Sequence, residues 1–476
     1  MRLPRLPLPL TSITTLLLLV VPSVLLLRSP RPTAAGLEQL MAAASLVQSF
    51  PATPENPVPE LWKQRLGAAD AERLWRSQRR IWWQFWGPHA EAAASMALPA
   101  ASHGAPMATG ALPPHSLRLG DLVVVAPDAL ARQLMEERLR PAQRPSRGLQ
   151  RRCLERLEQR QSVYWNASAI AEMLGPLAPL LQRFQEGCLA LGLEPGAVSW
   201  EGEAAAVEGL DSAAEPRPTG EASPDELPPL PADLLLDLEG QSLDQLLQGL
   251  LSRDMIRQPL AARYGVDTKR LELLRRTPFR LRLRPQDQGP FRASLELQLP
   301  VGEQASAWQA MFTSVAEALR REGFTTQIPQ AVEGPQQAPP PPQEPGAEPT
   351  APAPASEAPQ GATDESAAAM VIWRRPEDGA VVGGWRWIGA ESSAEVLLFL
   401  GPAPLAPLPL GWGDRPPEPG LRLRVRSEAL DRLGLLPAGI PPLVRRSSQL
   451  WMETEPLGDP AAAAISRLTG RLRLER

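Results

Sequence analysis

Apolar residues along this chain recur with two periods, and the switches between them mark its elements. Ser45 to Phe50 reads as a short strand. From Pro59 to Trp86 the pairs Leu74/Trp75, Ile81/Trp82 and Phe85/Trp86 recur at seven and four, which predicts one helix with a broad apolar stripe. Gly87 to Ser116 shows neither period and reads as a loose, mobile connection. Leu117 to Ala126 is predicted as a strand, and Pro127-Asp128 opens a helix through Leu139, with proline where helices accept it. Arg138 to Arg160 predicts a second helix with Leu149, Cys153 and Leu157 on one face. Ser162 to Trp165 is a strand, Asn166 a cap and Ala167 to Gln185 a helix. Cys188 to Leu193 and Ala197 to Glu203 then form a hairpin around Glu194-Pro195-Gly196.

The pattern restarts at Leu234 to Leu238, a strand followed by a helix from Ser242, with Gln245 in capping-box position, and helical segments reaching Arg276. Phe279 to Leu283 and Phe291 to Leu299 alternate as a hairpin, with Arg280, Arg282 and Arg284 on its polar face. Ala305 to Glu322 is an amphipathic helix. In the last stretch Val371 to Arg374, Val381 to Ile388, Val396 to Leu400, Leu421 to Val425, Gln449 to Glu453 and Arg471 to Leu474 are strands, with a helix over Glu428 to Leu435. Strand–helix units recur near residues 117, 162, 234 and 421, a duplicated theme. The fold class expected is therefore α+β, with repeated strand–helix units and antiparallel hairpins in two or three modules. The divisions are 1–36 as anchor or signal, 37–207 as a first α+β module, 208–231 as an acidic linker, 232–327 as a second module, 328–368 as a proline-rich linker and 369–476 as a β-rich module.

One run obeys neither period. Leu10 to Leu27 is apolar and uncharged over 18 residues, the lower edge of what crosses a hydrocarbon core of roughly 30 Å. Arg2 and Arg5 precede it; Arg28 and Arg31 follow it and separate it from Thr33-Ala34-Ala35, the small residues a signal cleavage would use. An uncleaved single-pass anchor is the preferred reading, with a cleaved signal as the alternative. The flanking charges nearly balance, so orientation rests on the short amino-terminal tail, which favours export of the body.

Composition adds the linkers. Fifty-six prolines among 476 residues exceed the usual share of about 5%. Glu201 to Glu226 holds eight acidic residues against Arg217 alone, and Ile328 to Ser366 holds six against none. Such acidic, proline-rich stretches are expected to be disordered spacers. The net charge of −4 gives no reason to expect nucleic acid. Cys153 and Cys188 would pair in an oxidising space, while two buried thiols are the plainer reading.

Candidate chemistry is sparse. Lys63 and Lys269 are the only lysines, and the phosphate loop, GxGxxG after a strand, HExxH, CxxC and GxSxG are all missing. His89, His103 and His115 share the loose connection at spacings that match no compact metal motif. No catalytic, cofactor or metal residue is therefore assigned. The candidate contact residues are Trp75, Trp82, Trp83, Trp86, Arg79 and Arg80, which on one helix would suit a membrane surface or a partner protein. The plainer reading of the same stripe is a helix docked on its own core.

Leu119-Gly120-Asp121-Leu122-Val123-Val124-Val125-Ala126-Pro127-Asp128, then Ser162-Val163-Tyr164-Trp165-Asn166, then the Cys188 to Glu203 hairpin, come in an order that resembles uncharacterised membrane-anchored envelope proteins of cyanobacteria. The resemblance spans Gly36 to Phe324, and it implies a tethered body without an assigned activity. The long connection at 87–116 and the acidic insert depart from a compact version of that pattern. The function expected is that of a single-pass, envelope-facing, non-catalytic binding or scaffolding protein with a protein partner, its body periplasmic or lumenal. A cytoplasm-facing membrane-surface adaptor is the alternative, and a hydrolase using two carboxylates stands last.

Overall fold

A computed structural model describes residues 36–87, 94–100, 113–139, 146–206, 229–251, 253–287, 291–327, 370–389, 394–404, 420–457 and 465–474. It bears out the α+β class, and the strands whose pairing is given are all antiparallel. The chain divides into two units, Met1–Ala169 and Ile170–Arg476. The first closes within the expected first module, and the second takes in the Cys188 hairpin together with both later modules.

In the first unit the strands are β1 (Leu46–Phe50), β2 (Trp82–Trp86), β3 (Ser95–Pro99), β4 (Ser116–Leu119), β5 (Leu122–Val125) and β6 (Ser162–Trp165). They pair in the order β4–β5–β3–β2–β1–β6. The helices are α1 (Leu37–Ala43), α2 (Glu60–Leu66), α3 (Ala68–Ser77), α4 (Ala129–Leu139) and α5 (Gly148–Gln159). The stretch expected as one helix from Pro59 to Trp86 is thus two helices and a strand. Gly67, at φ 78°, sits where only glycine is comfortable and ends α2. Gln78 turns extended after α3. Ile81 to Trp86 is short, β-branched and aromatic, and such a run fits a pleated strand buried on both faces as well as it fits a helix. Pairing with β1 and β3 decided between them.

That strand centres the first core. Trp62 meets Trp75 edge-on at 5.0 Å and Trp82 at 5.6 Å, and Phe50 stacks on Trp82 at 4.5 Å. Val58, Met96, Leu98, Val123 and Val125 complete the cluster. Residues 117–126, expected as one strand, fold as the hairpin β4–β5, turning at Gly120, φ 58°. The connection 87–116 contains β3; the remainder of its centre lies outside the described residues.

The second unit opens in α6 (Ala167–Leu174), which spans the division, and a 3₁₀ segment (Gly175–Phe184) in place of the single helix expected to Gln185. Its strands are β7 (Glu186–Glu194), β8 (Ala197–Ala205), β9 (Leu236–Gly240), β10 (Phe279–Pro285), β11 (Ala293–Pro300), β12 (Thr325–Gln327), β13 (Met370–Arg374), β14 (Val381–Ile388), β15 (Glu395–Leu400), β16 (Leu421–Val425), β17 (Ser447–Pro456) and β18 (Ile465–Leu474). Pairing runs β7–β8–β18–β17–β16–β9–β10–β11–β15–β14–β13–β12. Between β9 and β10 lie α7 (Asp244–Leu251), α8 (Asp254–Tyr264) and α9 (Thr268–Arg276). α10 (Ala305–Arg321) follows β11, and α11 (Ser427–Arg432) and α12 (Pro442–Arg445) separate β16 from β17.

Two strand–helix–hairpin repeats, β9 to β11 and β16 to β18, meet at the middle of this ladder. Their first strands are antiparallel partners, Leu421 opposite Gly240 and Val425 opposite Leu236. Each repeat then adds its hairpin outward; the β7–β8 hairpin extends one side, and the four strands β15–β14–β13–β12 extend the other. Leu235, Val425 and Leu430 of α11 bury the apolar face with Leu283, Leu423 and Leu450. A methyl at Gly240 would stand 2.7 Å from Leu421 Cδ2 and from Gln245 Oε1 and 2.8 Å from Phe279 Cε1, so glycine lets these side chains close over the join of the three strands. On the other flank Phe312 of α10 stacks on Trp385 at 5.1 Å.

Several expectations are corrected here. No described helix is long and apolar enough to cross a membrane, which takes about 20 residues. The longest, α10, has 17, buries Trp308, Met311 and Phe312 on one face, and ends in Arg320 and Arg321. The reading of the chain as a single-pass membrane protein, with a transmembrane signal anchor and a periplasmic or lumenal body, is overturned on that ground; Leu10 to Leu27 lies outside the described residues. Both linkers lie outside them too, except that Leu230, at the end of the first, is buried. Cys153 and Cys188 are fully buried and disulfide-bonded, not free thiols.

If Trp62, Trp75 and Trp82 hold the first unit together, Trp62→Ala or Trp82→Ala will cost about 3–5 kcal/mol. Arg79→Ala and Arg80→Ala will stay within about 0.5 kcal/mol of the parent. Urea unfolding followed by circular dichroism distinguishes these outcomes, and equal effects of both classes would refute the assignment.

Candidate functional site

The residues singled out from sequence part company in the fold. Trp75 and Trp82 are buried in the aromatic cluster, at 2% and 4% exposure. Trp83, on the other side of β2, is buried at 6%, and its Nε1 donates to the Leu157 carbonyl at 3.0 Å. Trp86 is half-buried. Trp75, Trp82 and Trp83 therefore present no indole surface to lipid or to a partner. Arg79 and Arg80 do remain exposed, in the turn between α3 and β2.

The densest charge lies elsewhere, on the sheet face opposite Leu235 and Val425. β9 alternates as Leu-Asp-Leu-Glu-Gly, whereas β16 alternates as Leu-Arg-Leu-Arg-Val and β10 as Phe-Arg-Leu-Arg-Leu-Arg. Register places Asp237 opposite both Arg282 and Arg424, and Glu239 opposite both Arg280 and Arg422. An acidic strand thus lies between two arginine strands, with every leucine turned the other way.

Asp237 is the hub, 2% exposed. Arg280 grips it through two bonds, Nε to Oδ1 at 2.8 Å and Nη2 to Oδ2 at 2.9 Å. Arg424 donates its Nη2 to Oδ2 from the other repeat. Arg282 Nε stands 3.7 Å from Oδ1. Burial alone would push this carboxyl up; the hydrogen bonds and charges of Arg280, then of Arg424, outweigh it and hold the group below its ordinary range. Arg282, also 2% exposed, is pushed down to about 10 by burial and by the like charge of Arg280.

The network continues outward. Arg422 donates to Glu239 at 3.0 Å and to Glu453 at 2.5 Å. Arg284 donates to Glu296 at 2.7 Å and pairs with Asp233. Gln298 donates to Glu395 at 2.7 Å, and burial raises the Glu395 carboxyl despite that bond. Chemically, Asp237 is an acceptor saturated by guanidinium groups. A carboxylate held ionised in this way anchors strands; it is poorly matched to proton transfer near neutrality.

Among the described residues no three His, Cys, Asp or Glu side chains converge to hold a metal ion. His89 and His103 lie outside those residues, and His115 sits just before β4. The ladder was missed from sequence, although opposite charges on strands of equal alternation carried its signal. No protein-family model matches the chain, and neither a curated protein nor a solved structure is similar to it.

Removing one partner of a buried pair strands the others. Asp237→Asn is expected to cost about 3–5 kcal/mol in urea unfolding. Asp237→Leu combined with Arg280→Met and Arg424→Met will cost less than Asp237→Leu alone. Because folding lowers the Asp237 pKa, its stabilising share is present above its unfolded value and is lost as pH falls through the folded value. The parent will therefore lose stability on acidification below about pH 4, more steeply than Asp237→Asn. Parallel acid limbs would refute the role.

Proposed function

We propose that this chain is a non-catalytic binding or scaffolding protein that works with a protein partner. The observation that carries the reading is the join of its two repeats. Ionisable groups of the central strands are spent on locking register across a long antiparallel ladder, as in proteins that extend a surface by adding units side by side. The residues in that ladder with the strongest charge coupling are tuned for fixed ion pairs, which favours a rigid platform over a turnover site.

Cross-linking the full-length chain in its own cells, followed by reconstitution with the purified neighbour, tests the proposal. A defined complex by light scattering is expected, with no turnover on a panel of esters, phosphoesters and glycosides. Turnover that a still-folded Asp237→Asn variant abolishes would overturn it, and so would repeated failure to recover a reproducible neighbour.

A further inference from the structure

Two turns of the first unit emerge at one end of its sheet. Phe50, the last residue of β1, pairs with Trp82, and Ser49 pairs with Ser162. Arg79 and Arg80 immediately precede the residue before β2, and Arg160 stands just ahead of β6. These turns flank β1 on its two sides, so strand spacing sets them about 10 Å apart. Both are held from within the fold. Ser49 Oγ donates to the Arg160 carbonyl at 2.7 Å, and Trp83 Nε1 fixes the last turn of α5 through Leu157. Arg76 Nη1 donates to the Pro54 carbonyl at 2.6 Å, and Arg79 Nη1 donates to the carbonyls of Arg76 and Gln78.

The side chains of Arg79, Arg80 and Arg160 are exposed, and among the described residues none has a carboxylate within 4.0 Å. The acids of α3 are already engaged, Asp70 by Arg73 at 2.6 Å and Glu72 by Arg76 at 2.9 Å. We infer that Arg79, Arg80 and Arg160 form a docking surface for an acidic segment of a partner protein. This rests on the binding reading above and names the partner's chemistry. Guanidinium forks donate paired hydrogen bonds to carboxylates. The span of about 10 Å matches three or four residues of extended chain. A net charge of −4 opposes long polyanions at a distance, so a short acidic peptide suits the surface better than nucleic acid does.

The experiment uses the full-length chain and a fluorescein-labelled polyglutamate peptide, read by anisotropy. Saturable binding that weakens with salt is expected, and the triple variant R79A/R80A/R160A will weaken it about ten-fold. The triple lysine variant, which keeps the charge but loses the fork, will bind between the parent and the alanine variant. Unchanged binding by the alanine variant overturns the surface, and so does tighter binding of a single-stranded oligonucleotide or of an anionic lipid vesicle than of the peptide. A partner complex that survives the alanine variant also removes this surface while leaving the binding reading intact. Failure to form any complex counts against that reading instead.

Discussion

The second unit depends on one buried carboxylate shared between two arginine-bearing strands. Asp237 accepts from Arg280 within its own repeat and from Arg424 of the other, so a single side chain ties the two repeats together. Placing a carboxylate out of water is costly, and the cost is offset only when the cations arrive in good geometry. The two-pronged grip of Arg280 supplies that geometry. Arg282 bears the strain of the arrangement, buried beside like charge and carrying a lowered pKa.

The same carboxylate specifies register. With a side-chain period of two, a slip of one residue between β9 and β16 would set leucines against arginines. A slip of two would leave Asp237 or Glu239 short of a cation. Hydrophobic burial alone would distinguish these alternatives weakly, because β9, β10 and β16 have nearly the same leucine alternation. Charge breaks the degeneracy, and Gly240 adds a steric stop where the three strands meet. The hairpins beyond then follow from pairing already set at the centre.

The first unit solves its packing with aromatic volume instead. Trp62, Trp75 and Trp82 meet edge-on, an arrangement favoured by the ring quadrupoles. Trp83 turns its indole to the opposite face and uses its N–H to hold α5. The adjoining turn, which Arg79 helps to hold through the carbonyls of Arg76 and Gln78, becomes the polar margin of an apolar strand. Packing and proposed recognition are thereby divided between consecutive residues, Arg79 and Arg80 on one side and Trp82 and Trp83 on the other.

Much of this fold was legible in the chain. Most strands of the second unit, the hairpin at Pro195-Gly196 and the recurrence of strand–helix units follow from alternation, turn residues and capping, all of which are local. The α+β class follows from the same signals. What remained undecided was decided at a distance. Ile81 to Trp86 carries apolar residues that suit a helix or a strand, and β1 and β3, not the run itself, made it a strand. Arg280 of β10 reads as part of a solvated face because Asp237, the carboxylate it grips, lies 43 residues away on β9 and is shared with Arg424 of β16. Sequence therefore determined which residues are apolar, where the chain turns and which strands carry charge. Tertiary structure alone decided that Asp237 is buried among arginines, because the pairing of strands so far apart is a property of the closed sheet.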